Sequence, residues 1–580
     1  MDKRILTGAE IIWECIAKEG VDVVFGYPGG AILPAYDALE KYRDKIHHVL
    51  VRHEQGATHM ADGYSRASGK VGVAMATSGP GATNMITGMA TAMMDSVPMV
   101  CITGQVPSSV IGSDAFQEID ITGAAIPVTK HNYLVMDINE LADTIKEAFH
   151  VARSGRPGPV LVDIPKDIQN QSIEFNYPKS LIDMPGEVKP PGATEEHLKT
   201  FARMIEEAER PFILAGHGII MSEATQTVIE LSEQVNIPIG TTLLGIGGVP
   251  ASHPLVFGMM GMHGETWVNQ AIQEADLLIA CGMRFDDRVT GKLENYSPNS
   301  KKIHVEIDPA EINKNINVDL PIHGDLKTVL TQVLPLVKKQ DNRPWLQKID
   351  GWRSDSKGKD IIHQNTDALM AAQVIRKIWE GTKGDALIVT DVGQHQMLEA
   401  QYYEHEDPRT LLTSGGLGTM GFSLPAGIGA SFYEKDREIW IIVGDGSFQM
   451  TMTELGTAVQ ENCNINIAII NNGYLGMVRQ WQEMFYNARY SETPILSPDY
   501  VKLAGAYGLE AYKVQELKDV IPTMRKAQKQ QGPSLIEFIV EKHDVVYPMV
   551  PTGADLHQMI ERPLKESNGE LTQEKKESIK

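Results

Sequence analysis

The chain contains 580 residues, of which 42% are hydrophobic and 22% are charged, and its formal net charge is −22 at pH 7. This length exceeds what a single hydrophobic core supports, so we expect about three domains. Because nucleic acids and anionic membranes are themselves negatively charged, the net charge argues against both as partners.

The first block, residues 1–180, alternates strand and helix signals, which favours a parallel α/β sheet. Apolar runs typical of buried strands lie at 22–26, 71–77, 99–104 and 159–165. A further short run, 49–51, leads into Glu54, and the residues after Glu54 have the spacing of a packed helix. An isolated glutamate at such a place is usually a first-turn acid stabilised by the helix dipole.

Two polar stretches divide the chain. Residues 177–196 include four prolines, and residues 338–367 are charged with few apolar runs. They leave a middle block at 190–340 and a third block at 365–550. We expect residues 551–580 to form a C-terminal lid followed by a solvated tail at 565–580.

The middle block again alternates strands and helices, and it contains Gly216-His217-Gly218 after an apolar run. This triplet is only part of a GxGxxG pattern, because Met221 stands where the third glycine would be. Taken alone, it is a weak nucleotide-binding signal.

The third block has strand-like runs at 386–391, 439–443, 467–470 and 534–540. Strand and helix signals alternate here as they do in the first block. We find no convincing sequence repeat between the two blocks.

Two strand-like runs of the third block end in small polar residues. Asp445 stands between two glycines, and Asn472 follows the next run 27 positions later. Each motif alone is usually a turn. Two parallel strands would bring both side chains to the same carboxyl edge of the sheet, where α/β folds bind ligands. A carboxylate and an amide oxygen suit Mg²⁺ that also binds phosphates, and Ser447 is predicted to cap the following helix.

The pattern from Gly444-Asp445-Gly446 to Asn472 resembles the metal-binding motif of thiamine diphosphate enzymes. The segment His53-Glu54-Gln55-Gly56-Ala57 closely resembles the activating-glutamate segment of one branch of them, the acetohydroxyacid synthases (acetolactate synthases). Other segments that resemble the catalytic subunits of this branch are 25–31, 113–118, 155–159, 284–291 and 476–482. The resemblance covers nearly the whole chain.

This resemblance implies an α/β fold of three doubly wound domains with mainly parallel sheets. The domains would be a pyrimidine-binding domain (1–180), a middle FAD-binding domain (190–340) and a diphosphate-binding and Mg²⁺-binding domain (365–550). It also implies that each cofactor lies between the first domain of one subunit and the third domain of another. The active protein would therefore be a homodimer or a homotetramer, and a regulatory small subunit is left open.

The implied activity is the decarboxylation of pyruvate on thiamine diphosphate. The hydroxyethyl group is then transferred to a second pyruvate or to 2-ketobutyrate, which gives 2-acetolactate or 2-aceto-2-hydroxybutyrate. This is the first common step of branched-chain amino acid biosynthesis. The alternatives are an FAD-free catabolic acetolactate synthase, a pyruvate oxidase-like enzyme that uses FAD for redox chemistry, and a non-catalytic protein that has kept the fold.

The resemblance assigns the thiamine diphosphate site residue by residue. Glu54 would activate the cofactor through its aminopyrimidine, and Asp445, Asn472 and the backbone carbonyl of Tyr474 would hold Mg²⁺. Met420 would be an apolar wedge that bends the cofactor, or else ordinary core. The remaining contacts are expected at Val392, Gly393, Gln394, His395, Gly418, Gly444, Gly446 and Ser447.

The acceptor pocket and the flavin site are implied in the same way. Arg288 would bind the carboxylate of the second 2-keto acid, or else pair with Asp286 or Asp287, and Trp481 would narrow the pocket, or else be core. Other acceptor-side residues are Gly30, Phe116, Gln117, Lys166, Met477 and Val478. FAD contacts are expected at Arg156, Gly216, His263, Gly264, Arg284, Asp308 and Asp325, although many thiamine diphosphate enzymes keep this domain without a nucleotide.

Features that bear on cellular location agree with one another. The four cysteines lie far apart with no CxxC pair, which favours reduced thiols. The first residues have no signal-peptide pattern, and no apolar run approaches the roughly 18 residues of a membrane span. We therefore expect a cytoplasmic protein.

Overall fold

The computed structural model describes residues 4–178, 180, 189–364 and 366–563. The expected tail at 565–580 and part of the first boundary stretch lie outside these residues. The described residues form three six-stranded parallel sheets, each joined by helical connections. The expected α/β class with three doubly wound, mainly parallel sheets is confirmed.

The first sheet has the strand order β3-β2-β4-β5-β7-β6, and β1 and β8 form a separate antiparallel pair. The strands are β1 Ile5–Thr7, β2 Val23–Gly26, β3 His47–Leu50, β4 Gly72–Ala76, β5 Met99–Gln105, β6 His131–Leu134, β7 Pro159–Pro165 and β8 Ser172–Glu174. The helices are α1 Gly8–Lys18, α2 Leu33–Leu39, α3 Glu54–Ser68, α4 Pro80–Asn84, α5 Ile86–Asp95, α6 Ile121–Ala125, α7 Leu141–Arg153 and α8 Lys166–Asn170. Short 3-10 helices lie at Ser108–Val110, Ile126–Val128 and Ile138–Glu140.

The middle sheet has the order β11-β10-β9-β12-β13-β14. Its strands are β9 Pro211–Ala215, β10 Ile239–Thr241, β11 Val256–Met259, β12 Leu277–Cys281, β13 Lys301–Glu306 and β14 Leu320–His323. The helices are α9 Glu195–Glu207, α10 Gly218–Met221, α11 Thr225–Val235, α12 Thr266–Glu274, α13 Asp287–Thr290, α14 Leu326–Val333 and α15 Arg343–Ser356. Short 3-10 helices lie at Leu243–Gly245, Leu293–Asn295, Leu334–Leu336, Lys357–Lys359 and Ile361–His363.

The third sheet has the order β16-β15-β17-β18-β20-β19. Its strands are β15 Leu387–Thr390, β16 Leu411–Thr413, β17 Ile439–Gly444, β18 Ile465–Asn471, β19 Glu510–Val514 and β20 Ser534–Ile539. The helices are α16 Ala371–Thr382, α17 Gln394–Tyr402, α18 Ser423–Ser431, α19 Asp445–Thr451, α20 Leu455–Gln460, α21 Gly476–Phe485, α22 Tyr500–Tyr507 and α23 Leu517–Ala527. A 3-10 helix, Met452–Glu454, joins α19 to α20.

The first and third sheets have the same topology. If the strands of each sheet are numbered from one to six in chain order, starting at β2 and at β15, both orders become 2-1-3-4-6-5. The middle sheet, numbered from β9, has the order 3-2-1-4-5-6, which is the order of dinucleotide-binding folds. The two outer sheets are therefore structural repeats that the sequence does not reveal.

Helices α3 and α18 join the first and third sheets into one packed body. A Cβ atom on Gly63 would lie 2.0 Å from the Ala426 carbonyl oxygen, and one on Gly429 would lie 1.9 Å from that of Met60. Glycine at these positions lets the two backbones touch. Buried apolar residues from both sheets, such as Val49 and Val443, form one continuous core around this contact.

The second boundary stretch is not an open linker. It contains α15, which packs on the middle sheet through Trp345 and Ile349, both buried. The indole N–H of Trp345 donates a hydrogen bond of 3.1 Å to the Pro211 carbonyl. Along the described part of the chain, no helix has both the length and the apolar character that crossing a membrane requires.

Candidate active site

The carboxyl edge of the third sheet brings the predicted metal ligands together. Strands β17 and β18 are parallel neighbours, with Gly444 in register with Ile470. Asp445 and Asn472, which follow these strand ends, line one pocket together with Tyr474. The arrangement offers a carboxylate, an amide oxygen and a backbone carbonyl to one ligand.

Asp445 is buried, and no basic side chain pairs with it among the described residues. Its Oδ2 accepts a hydrogen bond of 2.9 Å from the Ser497 hydroxyl, and its backbone carbonyl accepts one of 2.9 Å from Tyr500. Burial raises the pKa of the Asp445 carboxyl to about 6, while the Ser497 bond acts in the opposite direction. A nearby cation would favour the charged carboxylate.

Asn472 is oriented by two neighbours. Its Oδ1 accepts from the Tyr474 amide at 3.0 Å, and its Nδ2 donates to Gln394 Oε1 at 3.2 Å. Gln394 in turn donates to Gln480 Oε1 at 2.9 Å and to the Asp544 carbonyl at 3.0 Å. This network ties the sheet edge to α21 and to the C-terminal segment.

Two glycines allow the His395 ring to lie close to the backbone. A Cβ atom on Gly393 would lie 3.0 Å from the imidazole Cε1, and one on Gly444 would lie 2.9 Å from it. Gly393 has φ 151°, which a larger residue rarely adopts. The position of Gly446 is also tight, since a Cβ there would lie 2.7 Å from Leu475 Cδ2.

His395 presents a polar atom that has no hydrogen-bond partner among the described residues. Its Nε2 is buried without a hydrogen bond, and the residue lines the same pocket as Asp445. Burial lowers the pKa of His395 to about 4, although the negative charge of Asp391 opposes this. With a proton on Nε2, this imidazole at the start of α17, beside the glycine backbone, would donate a hydrogen bond to a phosphate oxygen. The residues present therefore fit a diphosphate with a bound cation.

The remaining residues predicted to bind thiamine diphosphate are close by. Val392, Gln394, Met420 and Ser447 line the pocket, whereas Gly418, with φ +70°, lies behind Val392. The predicted cap at Ser447 is wrong, because α19 begins two residues earlier, at Asp445, with Gly444 as its N-cap. The strand–helix junction is so tight that the helix starts immediately after the last strand residue.

Glu54 lies on a different sheet edge. It is buried at the start of α3, and its Oε2 accepts a hydrogen bond of 2.9 Å from Asn84. Three further predicted residues follow other strands of the first sheet: Gly30 after β2, Gln117 after β5 and Lys166 after β7. None of these four is among the residues that line the Asp445 pocket. Within one chain, these first-sheet residues therefore do not contribute to the pocket that holds the predicted metal ligands.

The predicted acceptor residues are divided in the same way. Met477 and Val478 line the Asp445 pocket, and Trp481 lies on the same helix with its ring 5.1 Å from that of Phe485. Phe116 is 88% exposed on the first-sheet side. Arg288 pairs with Asp287 at 3.5 Å, but both side chains are mostly exposed, so this pair contributes little and leaves the guanidinium accessible.

The predicted flavin residues gather around the carboxyl edge of the middle sheet, but most already have protein partners. Arg156 bridges from the first domain to Asp308 at 3.2 Å, and Asp325 caps α14 through the Thr328 amide at 2.9 Å. His263 Nδ1 is 3.1 Å from the Pro548 carbonyl oxygen. Arg284 lies 3.8 Å from Asp286, and a Cβ on Gly264 would lie 2.4 Å from the Met260 carbonyl carbon.

The glycine triplet of the middle domain has a structural explanation. A Cβ atom on Gly216 would lie 2.3 Å from the Gly282 carbonyl oxygen, and one on Gly218 would lie 2.6 Å from Gly282 Cα. These glycines let the loops after β9 and β12 touch at the point where the strand order reverses, which is where dinucleotides bind in this topology. The strand order supports a nucleotide site more directly than the triplet does.

Several carboxylates around the site were missed by sequence reasoning. Asp391 accepts hydrogen bonds from the amides of Gly421 and Ser423, both at 2.9 Å, and so holds the segment that carries Met420. Glu454 binds the backbone just before Glu54. The position of Asp391 at the end of a strand could have been noticed, but nothing in the sequence distinguishes Glu454 from a surface glutamate.

Comparisons with known proteins agree with this geometry. Three family models match the chain: the N-terminal TPP binding domain of thiamine pyrophosphate enzymes at residues 6–124, their central domain at 198–333, and their C-terminal TPP binding domain at 391–538. Thiamine pyrophosphate (TPP) is another name for thiamine diphosphate.

Individual relatives are similar over most of their length. An acetolactate synthase of Mycobacterium leprae is 46% identical over 561 residues, which cover 95% of this chain and 89% of the relative. An acetolactate synthase large subunit of Corynebacterium glutamicum is 46% identical, with 95% and 89% covered. A probable acetolactate synthase large subunit of Methanocaldococcus jannaschii is 44% identical, with 96% and 95% covered.

Proposed function

We propose a detailed function for this chain on the premise that it belongs to the thiamine pyrophosphate enzymes and, within them, to the acetolactate synthase large subunits. It is a thiamine diphosphate-dependent transferase of branched-chain amino acid biosynthesis. We propose that it decarboxylates pyruvate and transfers the hydroxyethyl group to a second pyruvate or to 2-ketobutyrate. The observation that carries this proposal is the pocket in which Asp445 and Asn472 meet His395, whose Nε2 has no hydrogen-bond partner within the described ranges.

Roles follow from the chemistry of the residues. Asp445, Asn472 and the Tyr474 carbonyl would hold Mg²⁺, and His395 with the amide groups near Gly393 would bind phosphate oxygens. When bound, thiamine diphosphate supplies a carbon nucleophile and an electron sink for decarboxylation. Apolar Met420 and Met477 would keep water from the reacting carbon. Poor solvation of charge there favours loss of the substrate carboxylate as CO₂.

Glu54 would act from a second copy of the chain. Its carboxyl group would form a hydrogen bond with the aminopyrimidine ring and so favour the imino tautomer, whose nitrogen would take up the reacting proton. Since Glu54 does not line the Asp445 pocket of its own chain, a homodimer or homotetramer would complete each site. In that assembly the first-sheet residues Gly30, Phe116, Gln117 and Lys166 would face the pocket of the partner copy.

The acceptor would be held by Arg288 and shaped by Trp481. The guanidinium offers two parallel N–H donors to the carboxylate of a 2-keto acid. The Trp481 ring would pack against the extra methyl group of 2-ketobutyrate, which is worth about 1 to 3 kcal/mol.

We propose FAD as a third cofactor, bound at the carboxyl edge of the middle sheet by Arg156, Gly216, His263, Gly264, Arg284, Asp308 and Asp325. The strand order of the middle sheet supports a dinucleotide there. Its role would be structural, since the reaction has no net redox change. A colourless purified protein would favour the FAD-free catabolic alternative, and flavin reduction on addition of pyruvate would favour the oxidase.

We further propose domain boundaries at 1–180, 190–340 and 365–550, because each range contains one six-stranded sheet, with 551–580 as lid and tail. A cytoplasmic location is supported by four buried cysteines that form no disulfide. A regulatory small subunit is a possible partner that the chain itself does not specify.

The experiment that tests the proposed function is an assay of acetolactate formation from pyruvate, with and without 2-ketobutyrate, in which thiamine diphosphate, Mg²⁺ and FAD are omitted in turn. We expect product only when thiamine diphosphate and Mg²⁺ are both present. Product formation without thiamine diphosphate, after its complete removal, would overturn the proposal.

A further inference from the structure

The segment that carries Met420 is rich in glycine. It runs from residue 414 to residue 422 between β16 and α18, and four of its nine residues are glycines. Glycine loses the most backbone entropy on ordering. A fixed Met420 side chain therefore requires bonds that hold this segment, which we call the Met420 loop.

One end of the loop is held within its own domain. Asp391 accepts hydrogen bonds from the amides of Gly421 and Ser423 and, at 2.8 Å, from the Ser423 hydroxyl. These bonds fix the residues that follow Met420, but not those that precede it.

At the other end, Gln396 of the same domain donates to the Ser414 carbonyl at 3.1 Å, and the next two residues are held by Asp95, which belongs to the first domain. Its Oδ1 accepts from the Gly416 amide at 2.6 Å, and its Oδ2 accepts from the Gly415 amide at 3.0 Å. Asp95 is 1% exposed. A Cβ atom on Gly416 would lie 2.8 Å from Asp95 Oδ1, so the close approach depends on glycine.

Arg66 fixes the Asp95 carboxylate. It donates to Asp95 Oδ2 at 2.8 Å, to Asp62 Oδ1 at 2.5 Å and to the Thr413 carbonyl at 2.8 Å. Farther along the loop, the hydroxyls of Thr91 and Thr419 are 2.7 Å apart. The first domain therefore binds the loop on both sides of Leu417.

We propose that Asp95 is a positioning residue for thiamine diphosphate binding, and that it acts by holding the Met420 loop in place rather than by contact with the cofactor. The proposal rests on the proposed function, since it takes the Asp445 pocket as the cofactor site. Asp95 orders Gly415 and Gly416 before the cofactor arrives. Without these bonds, the loop would become ordered only when the cofactor binds. The free energy needed to order it would then lower the affinity for the cofactor.

The test compares Asp95→Asn with Asp62→Asn in the full-length protein. Each change removes a buried carboxylate that accepts a hydrogen bond from Arg66. Only Asp95 also accepts from the loop amides, so Asp62→Asn is a matched control. Thiamine diphosphate affinity is measured by titration at saturating Mg²⁺, and thermal stability is measured without cofactor. We expect about 10-fold or more weaker binding for Asp95→Asn and less than about two-fold for Asp62→Asn, with similar losses of stability.

Equal loss of affinity in both variants, or none in Asp95→Asn, would overturn the proposal. If Asp95→Asn does not fold, Thr91→Val tests the same loop contact at nearly constant volume, because it removes the hydroxyl bond to Thr419 together with a bond to the Thr87 carbonyl within its own helix. Unchanged affinity in Thr91→Val would then count against the proposal. Failure of the wild-type protein to bind thiamine diphosphate would instead contradict the proposed function, so the two failures are distinguishable.

Discussion

Glu454 holds the backbone of His53, the residue that precedes Glu54, through a hydrogen bond of 3.0 Å between Glu454 Oε1 and the His53 amide. The same oxygen accepts from the Arg52 amide, also at 3.0 Å. A Cβ atom on Gly56 would lie 2.4 Å from it, which explains why the first turn of α3 contains a glycine. A buried side chain of the third domain thus positions the proposed activating acid of the first domain.

Glu454→Gln should reduce both turnover and stability. Glutamine can keep one oxygen for the Arg52 and His53 amides, but it replaces the second carboxylate oxygen, which accepts from the Thr457 hydroxyl at 2.6 Å, with an N–H group. It also removes the negative charge that strengthens the bonds to both amides, and the combined loss in a buried site is about 1 to 3 kcal/mol. We expect a several-fold lower kcat and a lower melting temperature, measured at saturating thiamine diphosphate.

The control is Glu461→Gln. Glu461 also joins the third domain to the first, through a contact of 2.7 Å with His47, but it lies away from Glu54. Equal losses of kcat in the two variants would show that the effect is one of general domain packing, in contradiction to a positioning role for Glu454.

Trp481→Leu should keep activity but lose preference for 2-ketobutyrate. The smaller side chain no longer packs against the extra methyl group, a loss of about 1 to 3 kcal/mol of discrimination. Competition assays with both acceptors measure the product ratio. Phe485→Leu, which changes the ring beside Trp481, is the control. An unchanged product ratio in Trp481→Leu would contradict the proposed role of Trp481 in acceptor preference.

Asp163 should contribute a pH dependence to stability. Burial raises the pKa of its carboxyl from 3.8 to about 6, against hydrogen bonds from Thr103 and Gln105. The pKa of this carboxyl is therefore higher in the folded protein than in the unfolded chain. Its contribution to the free energy of unfolding, on the order of 3 kcal/mol, is fully present below about pH 4 and is lost as the pH rises through about 6.

Asp163→Asn removes this titration. We therefore compare the difference in melting temperature between the variant and wild type at two pH values. This difference should be more favourable to the variant at about pH 7.5 than at about pH 4. Thr103→Val keeps the carboxylate and removes one donor bonded to it, so it should melt lower than wild type at neutral pH. A constant difference between Asp163→Asn and wild type at both pH values would contradict the role given to Asp163.

Much of the fold could be predicted because its central strands are buried on both faces and appear as apolar runs. The runs at 439–443 and 467–470 fall within β17 and β18. Edge strands such as β14 and β19 are short or partly exposed, and their residues form no distinct apolar run. The shared topology of the outer sheets depends on long-range pairing that no local pattern encodes.

For the site, strand ends were informative because side chains after parallel strands meet at one edge. That reasoning brought Asp445 and Asn472 together. It could not find Asp95 or Glu454, since both act across domains on the backbone of a distant segment. Their partners are amide groups, which every residue carries, so residue type alone does not mark them.

The central claim is that Glu54 of one chain and Asp445 of another act on the same cofactor, and subunit complementation tests it most directly. Glu54→Gln and Asp445→Asn chains with different affinity tags are co-expressed, and the mixed dimer is purified through both tags. Each variant alone should fold but have almost no turnover with saturating thiamine diphosphate and Mg²⁺. In the mixed dimer one site has both residues intact and the other has neither, so we expect roughly half of the wild-type activity. A mixed dimer as inactive as its parents would contradict the account.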